Sequence, residues 1–177
     1  MGFYSGEAID LQKALNAFEN ASFHPETLSM EFWYDFGNTA LSQAELLVDL
    51  KLKLKAVHCF KQGISLCISS TEGWLFLAQA LKKVYLDTRE EEYIHQINTC
   101  FSTASQFTPQ DSLLFSQWAR FLLEAGRITR DIKWLKESLE KCLLVDGQNL
   151  SWYGTRTLQG LQTCLQLLES TDLKLCK

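Results

Sequence analysis

Three features of the sequence bring together side-chain types that catalysis or metal binding could use. His58 and Cys59 are adjacent and pair a base with a nucleophile. Glu92 and His95 form one E-x-x-H, the unit that helix bundles use twice to hold two metal ions. Six cysteines, Cys59, Cys67, Cys100, Cys142, Cys164 and Cys176, offer sulfur ligands or nucleophiles. None has the spacing its chemistry needs. Neighbours on a helix do not face each other, so His58 cannot activate Cys59. E-x-x-H occurs once, and the chain has only three histidines. No two cysteines form C-x-x-C, and thiols scattered through apolar helical stretches read as small buried hydrophobes in a reducing compartment. The run TREEEY at 88–93 reads as a helix start whose carboxylates suit the helix dipole. No phosphate-binding glycine loop or serine elbow appears. The expectation is a protein that is not an enzyme and holds no metal or cofactor.

The elements around these residues point to a different use. At 177 residues the chain is expected to form a single domain. A net charge of −4 gives no general attraction to nucleic acid. No apolar run approaches the roughly 18 residues that span a bilayer, and the opening MGFYSGEAIDLQKAL lacks the pattern of a secretory signal. Nucleic acid and membrane are therefore not expected as partners. Only Pro25 and Pro109 interrupt long stretches rich in Leu, Gln, Glu, Lys and Ala, which favour helix. The run LKLKLK at 50–55 alternates as a strand would, but Leu50, Leu54 and Val57 also fit one helical face.

A repeat organises these helices. Trp33, Trp74 and Phe115 are 41 residues apart (74 − 33 and 115 − 74). The same shift carries Phe36 to Leu77 to Trp118, and Gly37 to Ala78 to Ala119 to Gly160. It also carries Phe60 to Phe101 to Cys142. Gly37 costs a helix roughly 1 kcal/mol relative to alanine. A slot that accepts only Gly or Ala is expected where two helix backbones approach closely. The aromatics at these recurring places are expected in the core.

Copies one and two read W-x-x-[FL]-[GA], and copy three keeps the places with Phe115, Trp118 and Ala119; a second piece reads small-x-x-x-[FC], as in Ala56 to Phe60 and Ser138 to Cys142. Copy two departs from this with Ile97. This pattern resembles the tetratricopeptide repeat, with Pro109 at the close of a repeat and Gly126 at the turn between two helices. Ala14, Phe18 and Ala21 resemble a second helix one period earlier. The family period is about 34 residues, and an excess near two helical turns keeps the buried face in phase. Thr88 with Glu91, matched by Thr129, is read as a cap that starts the second helices early. HEAT and armadillo repeats fit the period but lack the tryptophan signature.

The resemblance implies an all-α fold, a superhelical solenoid of stacked antiparallel helix pairs spanning 1–177. The repeats are placed at about 31–71, 72–112 and 113–153, with a partial repeat at 1–30 and a capping helix at 154–170. About eight helices and no sheet are expected. First helices fall near 28–46, 72–86 and 110–126, and second helices near 50–68, 88–106 and 129–145. An unpaired second helix at 9–21 is expected to expose Leu11, Leu15 and Phe18, inviting end-to-end self-association. The resemblance also implies a concave groove that binds another protein's peptide or helix. Its lining would be Tyr34, Asn38, Leu41, Leu75, Gln79, Lys82, Lys83, Ser116, Arg120 and Leu123. Asn38, Gln79 and Arg120 resemble part of a carboxylate clamp, while Tyr34 and Ser116 stand where its lysines belong. Lys82, Lys83 and Arg120 favour a partner segment with acidic groups or a chain-end carboxylate. The chain is read as a cytoplasmic adaptor or chaperone-like module. The alternatives are a secretion chaperone of the same fold and a structural segment of a longer array.

Overall fold

A computed structural model describes residues 3–23 and 28–144, the side chains of the first from residue 6 onward, together with two helical positions, Gln159 and Gln162. The capping helix at 154–170, apart from those two positions, lies outside the described residues, as do Gly160, Pro25, Cys164 and Cys176. The described residues form seven helices and no strand: α1 (Phe3–Ala21), α2 (Met30–Leu47), α3 (Leu50–Leu66), α4 (Thr71–Thr88), α5 (Glu92–Phe107), α6 (Ser112–Thr129) and α7 (Ile132–Leu144). The run LKLKLK is helical, as its i, i+4, i+7 spacing predicts. The chain divides into two compact units, Met1–Phe107 and Thr108–Lys177. In the first, α2 packs on α3, α3 on α4 and α4 on α5, with α1 laid against α2. In the second, α6 packs on α7.

Local chemistry repeats with the sequence. Ser29, Ser70 and Asp111 cap α2, α4 and α6, each accepting a backbone N–H of the first turn. These positions are spaced as the tryptophans are. The same three helices end on residues in the left-handed region, Val48 (φ 52°), Arg89 (φ 60°) and Arg130 (φ 57°), again at that spacing. Three matching starts, three matching ends and neighbouring helices packed in pairs are consistent with a helical repeat.

Several expectations are corrected. Thr88 and Thr129 do not open the second helices. They are the last residues of α4 and α6, and their hydroxyls accept the N–H groups of Glu90 and Asp131. Gly126 is not at a turn but inside α6, because the chain reversal is carried by Arg130. A Cβ at Gly126 would lie 2.7 Å from Leu135 Cδ2 and 3.2 Å from the Leu135 backbone nitrogen, so α7 also packs closely on α6 here. At Gly37 the neighbour is instead a ring: a Cβ would lie 2.6 Å from Phe60 Cε1. Trp74 is only half-buried, its indole N–H donating to the Ile68 carbonyl at 2.8 Å. Helix α1 covers the apolar residues expected to lie bare. Leu15 is fully buried, and Phe18 is half-buried with its ring stacked on Phe36 at 5.3 Å and edge-on to Phe32 at 5.3 Å. Leu11 is half-buried, and the exposed residues of α1 from Asp10 to Asn20 are polar except Ala17.

The core of the first unit is an aromatic cluster seated on glycines. Tyr34 meets Phe76 edge-on at 5.5 Å, and Phe60 stacks on Phe76 at 5.5 Å. Gly63 and Gly73 present no side chain beneath the Tyr34 ring and hydroxyl, and a Cβ on either would collide with them. Phe60 is completely buried and held between two rings, so it cannot yield easily to a methyl on Gly37. Gly37→Ala is therefore expected to destabilise by about 1–2 kcal/mol in chemical denaturation, overpacking outweighing the gain in helix propensity. Greater stability would show that Phe60 is free to move.

Candidate interaction surface

The ten residues expected to line a groove separate into two classes. Tyr34, Leu41 and Leu123 are buried and belong to the core. Tyr34 is turned inward because two glycines leave room for its ring, a circumstance visible only once α2, α3 and α4 are packed. Asn38, Leu75, Lys82, Lys83 and Ser116 are half-buried, and Gln79 and Arg120 are exposed. Ser116 is occupied locally, its hydroxyl donating to the Ser112 carbonyl at 2.8 Å. The outward residues of the first unit are thus Asn38 on α2 and Leu75, Gln79, Lys82 and Lys83 on α4. In the second unit, Arg120 stands on α6 with Arg127 one further pair of turns along. A shallow depression of about 570 Å³ on α6 is lined by Arg120, Leu123, Glu124, Arg127 and Ile128.

The charge on these faces differs from the sequence reading. Lys83 forms an ion pair with Glu45 of α2, so its charge is balanced within the fold. Glu31, Asp35 and Glu72 are also exposed on α2 and α4. The first unit therefore presents both signs on its first helices, not a cationic strip. Arg120 and Arg127 are the exposed cations of α6.

Sequence reasoning missed the polar contacts that lock the helices together. Lys53 is only 8% exposed, and its Nζ lies 2.6 Å from Asp87 Oδ2, tying the start of α3 to the end of α4. Lys55 pairs with Glu19 across α3 and α1, and Gln43 donates to Gln12 across α2 and α1 at 3.0 Å. In the second unit the fully buried Ser138 donates to the Ala119 carbonyl at 2.6 Å. The small residues Ser138 and Ala119 were legible as recurring slots, but their hydrogen bond was not. Asp87 is about one third exposed, so solvent screens part of its pair with Lys53. Asp87→Ala, which strands a buried ammonium, is expected to cost about 1–3 kcal/mol. The double substitution Lys53→Met with Asp87→Leu is expected to recover most of that loss, measured by the same denaturation series.

The described cysteines are free thiols, with Cys59, Cys100 and Cys142 buried and Cys67 half-buried. Burial pushes the Cys59 and Cys100 thiols up to about 12 and the Cys142 thiol up to about 11. A buried neutral thiol is neither a ready nucleophile nor a ready ligand. Burial likewise raises the Tyr34 phenol, opposed by the nearby Ser70 side chain, and its hydroxyl meets no partner at hydrogen-bonding geometry. The thiol shifts have a signed consequence. The folded state holds these protons more tightly than the unfolded chain, so their contribution is complete below the ordinary value of 9.0 and is lost as pH rises towards 12. Unfolding free energy is expected to fall across that window, and less steeply in Cys100→Ala. A thiol reagent added to the native protein near neutral pH is expected to label Cys67 well before Cys59, Cys100 or Cys142.

Among the described residues no group of three or more His, Cys, Asp or Glu side chains converges as a metal site would. No helix among them is long and apolar enough to cross a membrane. No protein-family model matches the chain, and no curated protein is significantly similar to it.

Proposed function

We propose that this chain is a protein–protein interaction module, a long-period relative of the tetratricopeptide repeat. Its helix pairs would stack as a superhelix, and a partner's peptide or helix would lie along the first helices. The reading rests on one observation above the rest. Asn38, Gln79 and Arg120 occupy the same place on three successive first helices, and none of them is buried. The residues just before them, Gly37, Ala78 and Ala119, are all three buried. A helix face kept polar at one recurring position, beside a recurring small core residue, is what a shared recognition row requires.

The three side chains also suit a peptide backbone. Asn38 and Gln79 carry amides that both donate and accept. Arg120 carries a planar fork that holds a carboxylate with two parallel hydrogen bonds. Leu75, half-buried beside Gln79 on α4, offers apolar contact. With Lys82 on the same helix, the favoured ligand is a segment ending in, or carrying, a carboxylate. The free thiols fit a reducing, cytoplasmic setting.

A photo-crosslinking residue placed at the exposed position of Gln79 would capture and identify the partner. The paired substitution Arg120→Glu with Lys82→Glu is then expected to weaken that partner's binding at least tenfold, about 1.4 kcal/mol. Lys61→Glu, on an exposed position of α3, serves as the control and should leave binding unchanged. Affinity within about twofold of the parent, in a variant that keeps its helical spectrum, would reject the first helices as the binding face.

A further inference from the structure

The exposed face of α6 carries two arginines, and α2 and α4 carry none. Arg120 and Arg127 are both exposed, and among the described residues neither forms an ion pair. Arg127 lies in the last turn of α6, where a cation suits the helix end. Arg120 stands about two turns earlier and gains nothing from that end. Packing of the helix pairs does not call for them either. The repeat puts Gln79 and Leu86 in their places on α4, and Asn38 and Glu45 on α2.

The two side chains open onto one space. They line the depression of about 570 Å³ on α6 together with Leu123, Glu124 and Ile128. The five residues fall at i, i+3, i+4, i+7 and i+8, a single helical stripe. Its arginines are 127 − 120 = 7 residues apart, or about 10 Å along the axis. Leu123 and Glu124 lie between them, and Ile128, 41% exposed, adds apolar surface beside Arg127. We propose that this stripe binds an amphipathic helix of another protein that carries two carboxylates two turns apart, with an apolar side chain between them. A partner helix laid along α6 has the same rise, so carboxylates at its own i and i+7 reach both arginines at once. Each guanidinium holds one carboxylate by two parallel hydrogen bonds. A leucine at the partner's i+3 meets the apolar surface of Leu123 and Ile128. Glu124 stands between the arginines, so an unbroken run of anions meets a like charge midway. That placement favours two separated carboxylates over a nucleic-acid strand. The inference rests on the proposed reading of the first helices as a binding face, and it names the chemistry that α6 selects.

The test is an NMR titration of the full chain with a synthetic helix, capped at both ends and stapled on its far face. It carries two glutamates two turns apart and a leucine between them. Saturable shifts of the α6 amides are expected. Changing either glutamate to glutamine, or moving the two to one turn apart, is expected to weaken binding about tenfold. Arg120→Gln and Arg127→Gln, both at exposed positions, are each expected to do the same. No α6 shift at about 1 mM peptide would overturn the proposal. Equal binding of the one-turn peptide, or of a single-stranded oligonucleotide, would overturn it too, because charge alone would then suffice. Shifts confined to α2 and α4 would leave the shared row of Asn38 and Gln79 standing and reject the arginine stripe. Shifts confined to α6 would support the stripe and count against the row.

Discussion

The first unit is held by rings laid on glycines. Phe60 rests over Gly37, and Tyr34 rests over Gly63 and against Gly73, with Phe76 closing the cluster. Four aromatic or glycine positions on α2 and α3 and two on α4 are thereby committed to one geometry. Offset and edge-on rings gain energy beyond the area they bury, but only where the opposing helix offers no Cβ. The glycines lower helix propensity locally, and the rings they admit more than offset that loss. Helix spacing, the burial of Tyr34 and the inward face of α2 all follow from this contact.

Around the cluster the fold is joined by polar contacts that cross between helices far apart in sequence. Lys53–Asp87, Lys83–Glu45 and Lys55–Glu19 link α3 to α4, α4 to α2 and α3 to α1. They link neighbouring helices of the first unit, while the apolar core supplies most of the attraction. They also decide the surface. Pairing Lys83 with Glu45 removes a cation from the face that carries Gln79, leaving amides and a balanced mixture of charge. Under the proposed function, recognition by such a face would depend on hydrogen-bond geometry as well as on net attraction.

The three reversals between paired helices show the same backbone solution reached by different side chains. Left-handed termini at Val48, Arg89 and Arg130 need no glycine, because a single residue tolerates that conformation at a cost of roughly 1–2 kcal/mol. The two arginine turns keep this cost at a polar, solvated site. The valine turn adds an apolar side chain with nowhere to bury it. The backbone of the valine turn is closed by the Asp49 N–H donating to the Ala44 carbonyl at 3.1 Å.

The sequence alone determined the period, the helices and most of their limits. Trp33, Trp74 and Phe115 set the repeat, and the apolar spacing resolved LKLKLK as helix, because both signals are local and depend on helical geometry near 3.6 residues per turn. The caps at Ser29, Ser70 and Asp111 carry the same spacing, but the sequence pattern pointed to Thr88 and Thr129 instead, and the structure places these two at helix ends. Only the tertiary structure decided which way Tyr34 turned, that Gly37 receives a ring and not a backbone, and that Lys53 could be buried. Each of those outcomes depends on a partner tens of residues away: Gly63 and Gly73 for Tyr34, Phe60 for Gly37, Asp87 for Lys53. Periodicity says which residues share a face of a helix. It does not say what that face will meet, and burial is settled by what it meets.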